Sequence, residues 1–484
     1  MKSWKCVNFP VSYHNFSITK HVCFTEVNQS DIGDLIIEGK TKQVFKLKNK
    51  EDQVYVLNKD RITAGDGVKA HELKGKAKLS TRTNGAVFEF LKEVGVKTHF
   101  VSRVSAKSPN HETAFVAKNC SMIPIEWVTR RVATGSYLKR NPHVKEGYRF
   151  YPPKLETFFK GMFSCSTEYI YLYSTFDESS SQWTDDANHD PYWSIETLIE
   201  AKLQCGNVTI DRTHVDEMLA VTQLVFELLE RAWQTLDHSL IDMKIEFGVT
   251  ADNEIVVADV IDNDSWRLWP SGDKRLMLDK QVYRNMDAAS IDAAALEKVR
   301  SNFEIVADRT HNLFTGLRPT NFPSTPMIGI IMGSTSDLPF AEKIKAKLQS
   351  YGINDIEIHV CSAHKSTRYA LDVLSSLIQW PSCKVIVAAV GRSNGLGPVA
   401  GANSPIPVIN CPPTSDISTL EADIWSSLRL PSGTACSTIL GAENAAQCAA
   451  HIVANSNAFV WGKLRTQQTY AIVKMIQDDK KLAN

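Results

Sequence analysis

The stretch Gly316-Leu-Arg-Pro-Thr-Asn-Phe-Pro-Ser-Thr-Pro326 constrains the fold most. Pro319, Pro323 and Pro326 each lack a backbone donor and fix φ, so they fit neither a helix interior nor a central strand. Residues 316–326 therefore read as a linker between two units, 31–315 and 327–484. At 484 residues the chain is also too long for one ordinary core.

Beyond the linker the rhythm is βαβ. Ile328 to Met332, Ile356 to Val360, Lys384 to Val390 and Ile406 to Asn410 are short apolar runs alternating with helical segments. Such alternation predicts a parallel, doubly wound (flavodoxin-like) sheet that binds ligands at its strand C-termini. The runs end in Gly333-Ser-Thr-Ser-Asp337, Ser362-Ala-His-Lys365, Gly391-Arg-Ser-Asn-Gly-Leu-Gly-Pro398 and Cys411-Pro-Pro413. Ser334, Ser336 and Asp337 precede a helix N-terminus, where free amides favour a phosphate; Asp337 equally suits an N-cap. Arg392, Ser393 and Asn394 add a cation and polar donors. His364 is the one group in these loops that titrates near neutrality, so it can take a proton and return it.

In the first unit Ile241, Met243, Ile245 and Phe247 alternate with Asp242, Lys244 and Glu246, which reads as a half-buried strand with three charges on one face. Gly248 to Asn253 supplies a turn, and Glu254 to Ile261 a second strand carrying Asp259. A register with Glu246 opposite Asp259 sets two carboxylates beside Lys244, the hard ligands that Mg²⁺ and a polyphosphate need. A slip of one residue turns Asp259 away, and a solvated strand face fits the spacing equally well. Gly39-Lys-Thr-Lys42 is a glycine turn with two lysines, suited to phosphate but without the spaced glycines of a Walker A loop. Asp60 to Asp66 reads as a loop, and His214 to Trp233 as an amphipathic core helix. Arg130 and Arg131, followed by Thr134-Gly-Ser136, offer guanidinium forks and a hydroxyl to carboxylate or phosphate, although tandem arginines are more often surface charges.

Acidic and basic residues number 54 each, which indicates no nucleic-acid partner. Ten cysteines without C-x-x-C pairs argue against structural zinc and for reduced, cytoplasmic thiols. No apolar run approaches the roughly 20 residues of a membrane span. Residues 1–30 hold Lys2, Lys5 and Lys20 and no acid before Glu26, yet aromatic and β-branched residues interrupt any helical face; they read as a disordered extension.

Ile241-Asp-Met-Lys-Ile-Glu-Phe-Gly248, with Ala258-Asp-Val-Ile-Asp-Asn-Asp-Ser-Trp-Arg-Leu-Trp-Pro270, resembles the signature of the SAICAR synthetases, the succinocarboxamide-forming ligases of purine synthesis. The loops after Met327, with Trp425-Ser-Ser-Leu-Arg-Leu-Pro-Ser-Gly433, resemble the animal-type AIR carboxylases over nearly all of 327–484. The resemblance implies an α+β ATP-dependent ligase domain followed by a doubly wound carboxylase domain. It implies a bifunctional enzyme that carboxylates aminoimidazole ribotide with CO₂, without ATP or biotin, then joins the product to L-aspartate with ATP and Mg²⁺.

On this resemblance Lys40, Lys42, Asp242 and Lys244 serve ATP, Lys244 also being catalytic, and Glu246 and Asp259 hold the metal. Arg130, Ser136, Asp190 and Arg267 take the ribotide, while Lys280 and Arg284 meet the aspartate carboxylates. In the carboxylase His364 shuttles the proton; Ser334, Ser336, Asp337, Ser362, Lys365, Arg392, Ser393, Asn394 and Asn403 hold the ribotide. Homo-octamers built through the carboxylase domain are implied too. Ala400-Gly-Ala-Asn-Ser-Pro405 departs from the family's Met-Ser-Gly-Asn-Thr-Ala, and Val390 from an alanine-like position, which implies altered packing at the CO₂ pocket. Residues 161–184 have no counterpart in the ligase pattern and lie close to Asp190. Two rivals therefore stay open: a carboxylase whose ligase half that insertion disables, and a non-catalytic ribotide-binding scaffold.

Overall fold

The structure, a computed structural model, describes residues 24–64, 69–160, 184–185, 190–287, 291–315, 327–413, 420–421 and 423–482, without the side chains of 184, 185 and 190. Residues 161–183 of the insertion expected at 161–184, the linker at 316–326 and most of the extension at 1–30 lie outside the described residues. The end of that extension departs from the expected disorder. Phe24–Thr25 pairs in parallel with Phe100–Val104, and Val27 is buried.

Two sheets share the first unit's core. One runs Phe24–Thr25, Phe100–Val104, Ala114–Lys118, Gln53–Asn58, Lys42–Leu47 and Ile32–Glu38 in spatial order. Its edge hairpin turns at Gly39, whose N–H donates to the Lys42 carbonyl at 2.8 Å. The other sheet centres on His238–Thr250, which pairs antiparallel with Ile125–Val132, Ile255–Ala258, Trp266–Pro270 and Cys120–Met122. Basic side chains cover the face expected to be half exposed: Asp242 meets Arg130 and Arg267, Glu246 meets Lys160 and Lys244, and each carboxylate residue is 4% exposed. The helix Arg212–Gln234, capped by Asp211, packs Met218, Val225 and Leu229 into the same core. Arg61–Ala64 is a strand paired with Lys69–Glu72 rather than the expected loop, because Ile62 is drawn into a small core of its own. The Asp60 carboxylate accepts from Gly75 and Ala77 N–H and ties that hairpin to the start of the helix Lys76–Val94.

The second unit is a five-stranded parallel sheet in the spatial order Ile356–Val360, Ile328–Met332, Val385–Ala389, Val408–Asn410 and Ser437–Thr438. In chain order this is 2-1-3-4-5, the flavodoxin-like arrangement, with its switch point between the first and third strands. The fifth strand is too short and polar for its sequence to announce it.

The two units meet through the helix Ala458–Leu482, which lies on Lys76–Val94 and Arg212–Gln234. Gly462 permits the approach: a Cβ there would fall 2.9 Å from Val94 and 3.1 Å from Leu228. Phe459 packs edge-on against Phe90, and Arg465 pairs with Glu227 at 2.8 Å. Residues 316–326 divide the chain, but the core continues across the division.

Candidate active sites

The hairpin register sets Glu246 opposite Ala258, one residue off the expected pairing with Asp259. Asp259 follows the strand at φ +62°, and both carboxylates nevertheless face Lys42, which forms an ion pair with Asp259. Glu246 accepts from Lys160 at 2.8 and 3.0 Å and from Lys244 at 3.2 Å. Burial pushes its carboxyl up, but Lys244, Lys160 and Lys42 together bring it down to about 2. Lys244 also donates to Glu126 at 2.5 Å. Against a burial that lowers it, Glu126 and Glu246 hold the Lys244 ammonium above its ordinary range. Lys40 is exposed on the same glycine turn, which Lys59 braces by pairing with Glu38 and donating to the Gly39 carbonyl at 3.1 Å.

Lysines grouped around two convergent carboxylates suit a polyphosphate together with its divalent cation. The donor set fits Mg²⁺, because Asp259 already holds one cation, the Lys42 ammonium, whose charge also helps to lower the Glu246 carboxyl. Among the described residues no group of three or more His, Cys, Asp or Glu could hold a metal, so phosphate oxygens and water would complete the coordination.

About 13 Å further along the strand, by its rise per residue, lies a second cluster. Arg130 stands opposite Asp242 in the register. It is buried, donating to Glu156 at 2.5 Å, to Asp242 at 3.1 Å and to Ser136 at 3.5 Å. Arg140 reaches Glu156 as well, at 3.0 Å. The fork expected to meet a ligand is thus turned into the sheet, and Arg130 is a brace. Arg267, less buried, pairs with Asp242, donates to Gln281 at 3.3 Å and lies against Gly135. A Cβ on Gly135 would fall 2.6 Å from its Nη2, and φ there is +59°. Asp242, expected at ATP, instead joins Arg130 and Arg267, four residues from Glu246. Arg131 is bidentate to Glu230 of the core helix.

Next to this cluster, Asp264 meets Lys76 at 2.9 Å and Lys280 at 3.7 Å. Burial raises its carboxyl, but Lys280 and Lys76 outweigh it and hold the group below its ordinary range. The short helix Gln281–Asn285 follows Asp279, whose carboxylate accepts from Leu268 and Gln281 N–H, and it presents Arg284 at the surface. Lys280 and Arg284 both lie near enough to Asp264 to lower its carboxyl. Asp190 opens the strand Asp190–Trp193, which pairs with Arg149–Phe159; its side chain lies outside the described residues.

In the second unit the expected loops converge at the switch point. A Cβ on Gly333 would lie 3.3 Å from Val390, one on Gly391 3.9 Å from Asp337 Oδ1, and one on Gly395 3.4 Å from the His364 ring. His364 is exposed beside the glycine loop. Ser334 accepts from the Ser336 N–H at 3.3 Å and from its hydroxyl at 2.9 Å, and Ser362 accepts from Lys365 N–H at 3.2 Å. Burial raises the Asp337 carboxyl, with Lys365 opposing. Arg392, at φ +49°, and Ser393 are exposed.

Two expected contacts do not reach this surface. Asn394 is buried and donates to the Val390 and Arg392 carbonyls at 2.8 Å each, so it braces the loop. Asn403 caps the far end of the helix Leu396–Ala402, donating to Val399. That is about 10 Å from the glycine loop by the rise of a helix. Sequence reasoning overlooked Glu126, Glu156, Lys160 and Lys76. The available signal was a lone acid in a strand that otherwise carries only apolar, polar neutral or basic residues, Glu126 in Ile125–Val132 and Glu156 in Arg149–Phe159.

The SAICAR synthetase family matches residues 35–163 and 179–300, and the AIR carboxylase family residues 327–472. The ligase match breaks inside the stretch that lacks a counterpart. A bifunctional phosphoribosylaminoimidazole carboxylase/phosphoribosylaminoimidazole succinocarboxamide synthetase from Drosophila melanogaster is 48% identical over 451 residues, covering 93% of this chain and 96% of that protein. The Homo sapiens protein of that name is 45% identical over 453 residues, covering 93% and 97%. A phosphoribosylaminoimidazole-succinocarboxamide synthase from Roseiflexus castenholzii is 43% identical over 280 residues, 58% of this chain and 97% of its own length.

Proposed function

The chain belongs to the family of bifunctional AIR carboxylases and SAICAR synthetases, and on that premise we propose how its residues divide the two reactions. It is an enzyme of purine biosynthesis with both activities.

In the ligase, Lys40, Lys42 and Lys244 receive the ATP phosphates, and Glu246 and Asp259 hold Mg²⁺. When bound, that ion neutralises phosphate charge. A carboxylate becomes an electrophile only once an oxygen can leave, so phosphoryl transfer to the carboxylated ribotide precedes attack by the amine of L-aspartate. Lys244, kept charged by Glu126 and Glu246, stabilises the phosphoryl group in transit. Arg267 and Ser136, aligned through Asp242 and Arg130, orient the ribotide, with Asp190 at the border of that site. Lys280 and Arg284 hold the aspartate carboxylates.

In the carboxylase, the seryl hydroxyls and amides around Ser334, Ser336 and Ser362, with Asp337, Lys365, Arg392 and Ser393, hold the ribotide. His364 removes the proton from the carbon that accepts CO₂ and returns it in the reverse direction. Leu338, Val360, Tyr369, Trp425, Leu428 and Leu440 are exposed apolar residues of this half and support its self-association, the octamer included. A cytoplasmic location completes the reading; no described helix is long and apolar enough to cross a membrane.

The observation that carries the ligase assignment is the lysine cluster around Glu246 and Asp259, with Lys42 on Asp259 and Lys160 and Lys244 on Glu246. One preparation assayed for both reactions tests it. Chelation should abolish ATP- and aspartate-dependent product while CO₂ release from the carboxylated ribotide persists. Loss of both reactions, or of neither, refutes the division.

A further inference from the structure

The residues that follow the helix Lys76–Val94 lie between the seam of the two halves and the ligase hairpin. On the seam side, Tyr470 of the helix Ala458–Leu482 accepts a hydrogen bond from Lys97 N–H at 3.2 Å. On the hairpin side, Val257 N–H donates to the Lys97 carbonyl at 3.0 Å, and His99 N–H to the Val257 carbonyl at 2.9 Å. Thr98 and Val257 form the parallel bridge between them.

Ile255–Ala258 is the edge strand of the large sheet, so its outer backbone groups need a partner from outside the sheet. Lys97 and His99 supply that partner. Ala258 pairs with Glu246 and Asp259 comes next, so the covered strand is the one that sets the two carboxylates. The Lys97 ammonium adds a second tie, to Glu254 at 3.1 Å, at the start of the same strand. Close packing limits the freedom of the seam: a Cβ on Gly95 would meet Thr466 at 3.5 Å, and one on Gly462 would crowd Val94.

We propose that Tyr470 is a positioning residue for the ligase, a side chain of the carboxylase half that holds the backbone of residues 97–99 against the hairpin carrying Glu246 and Asp259. Its kinetic consequence rests on the assignment of those carboxylates to ATP and Mg²⁺; its structural consequence does not.

The test is Tyr470→Phe in the full-length protein, which removes one acceptor and keeps the ring. Losing one such bond should raise hydrogen exchange at the Lys97 and Val257 amides and lower ligase kcat/KM for ATP by about threefold to tenfold. Carboxylase kcat should stay at its wild-type value and the melting temperature should fall by no more than about 4 °C, which a general loss of folding would not allow. Unchanged exchange at both amides overturns the proposal alone. Faster exchange with unchanged ligase constants overturns the positioning role, and the kinetics of Glu246→Gln then decide separately whether the carboxylate assignment stands. Parallel loss of both activities also overturns it, since Tyr470 would then act on the whole fold.

Discussion

His99 gives the structure a measurable acid sensitivity. It is 6% exposed between Phe88 and Phe115, with ring centroids 5.2 and 5.9 Å away, and its Nε2 is buried without a hydrogen-bond partner. Burial, and then the charge of Lys42, bring it down from 6.5 to about 3. The unfolded chain protonates this imidazole near its ordinary value, whereas the folded chain resists until the pH is far lower. The stability it contributes is therefore complete above about pH 6.5 and is lost as the pH falls toward about 3. Between about pH 7 and about pH 5 the loss is about 2 kcal/mol, from a roughly thirtyfold protonation ratio in the unfolded state. In a unit of this size that lowers the melting temperature by about 5 °C.

His99→Leu keeps the apolar contacts and removes the titration. Its melting temperature should fall less than the wild type's over the same interval, by that margin. Burial raises Asp279 to about 6, so its folded form takes a proton more readily and gains stability as the pH falls. The comparison between variant and wild type cancels that opposing contribution. Parallel curves for the two proteins would refute the assignment of a neutral, resisting imidazole. Because His99 N–H is bonded to Val257, acid should also silence the ligase before the carboxylase.

Glu246→Gln should lower ligase kcat by at least about 100-fold and leave the carboxylase intact; a loss below about tenfold would reduce Glu246 to a partner of the lysines around it. Arg267→Lys keeps the charge but loses the planar fork that meets Asp242 and Gln281, so KM for the carboxylated ribotide should rise about tenfold with kcat less affected. An unchanged KM in steady-state kinetics would move the ribotide elsewhere. His364→Ala should slow CO₂ release from the carboxylated ribotide by about 100-fold or more while the ligase keeps its rate. Retained release would transfer the proton to another group.

How much the sequence discloses differs between the halves for a physical reason. In a parallel sheet every strand ends on the same side, so the period of the apolar runs is enough to gather Gly333, His364 and Gly391 at one edge. An antiparallel hairpin demands the register as well. Nothing in Glu254 to Ile261 reveals that the pairing slips by one residue, or that Asp259 then takes a left-handed conformation and still faces Lys42. Arg130 and Arg267 look alike in sequence. Which of them is buried is decided by Glu156, on a strand that only the folded sheet brings alongside.

The proline-rich stretch raises the same limit at the scale of domains. Its residues mark where the chain changes from one unit to the next, but a linear reading does not contain Gly462 resting against Val94 and Leu228. Fusion alone would raise the local concentration of the intermediate that the two reactions share. A helix of the second half that covers the core of the first does more, because Phe90, Val94 and Leu228 are buried partly by residues the ligase half does not encode. The ligase half is therefore completed by the carboxylase half, and separating the two would expose apolar surface on both.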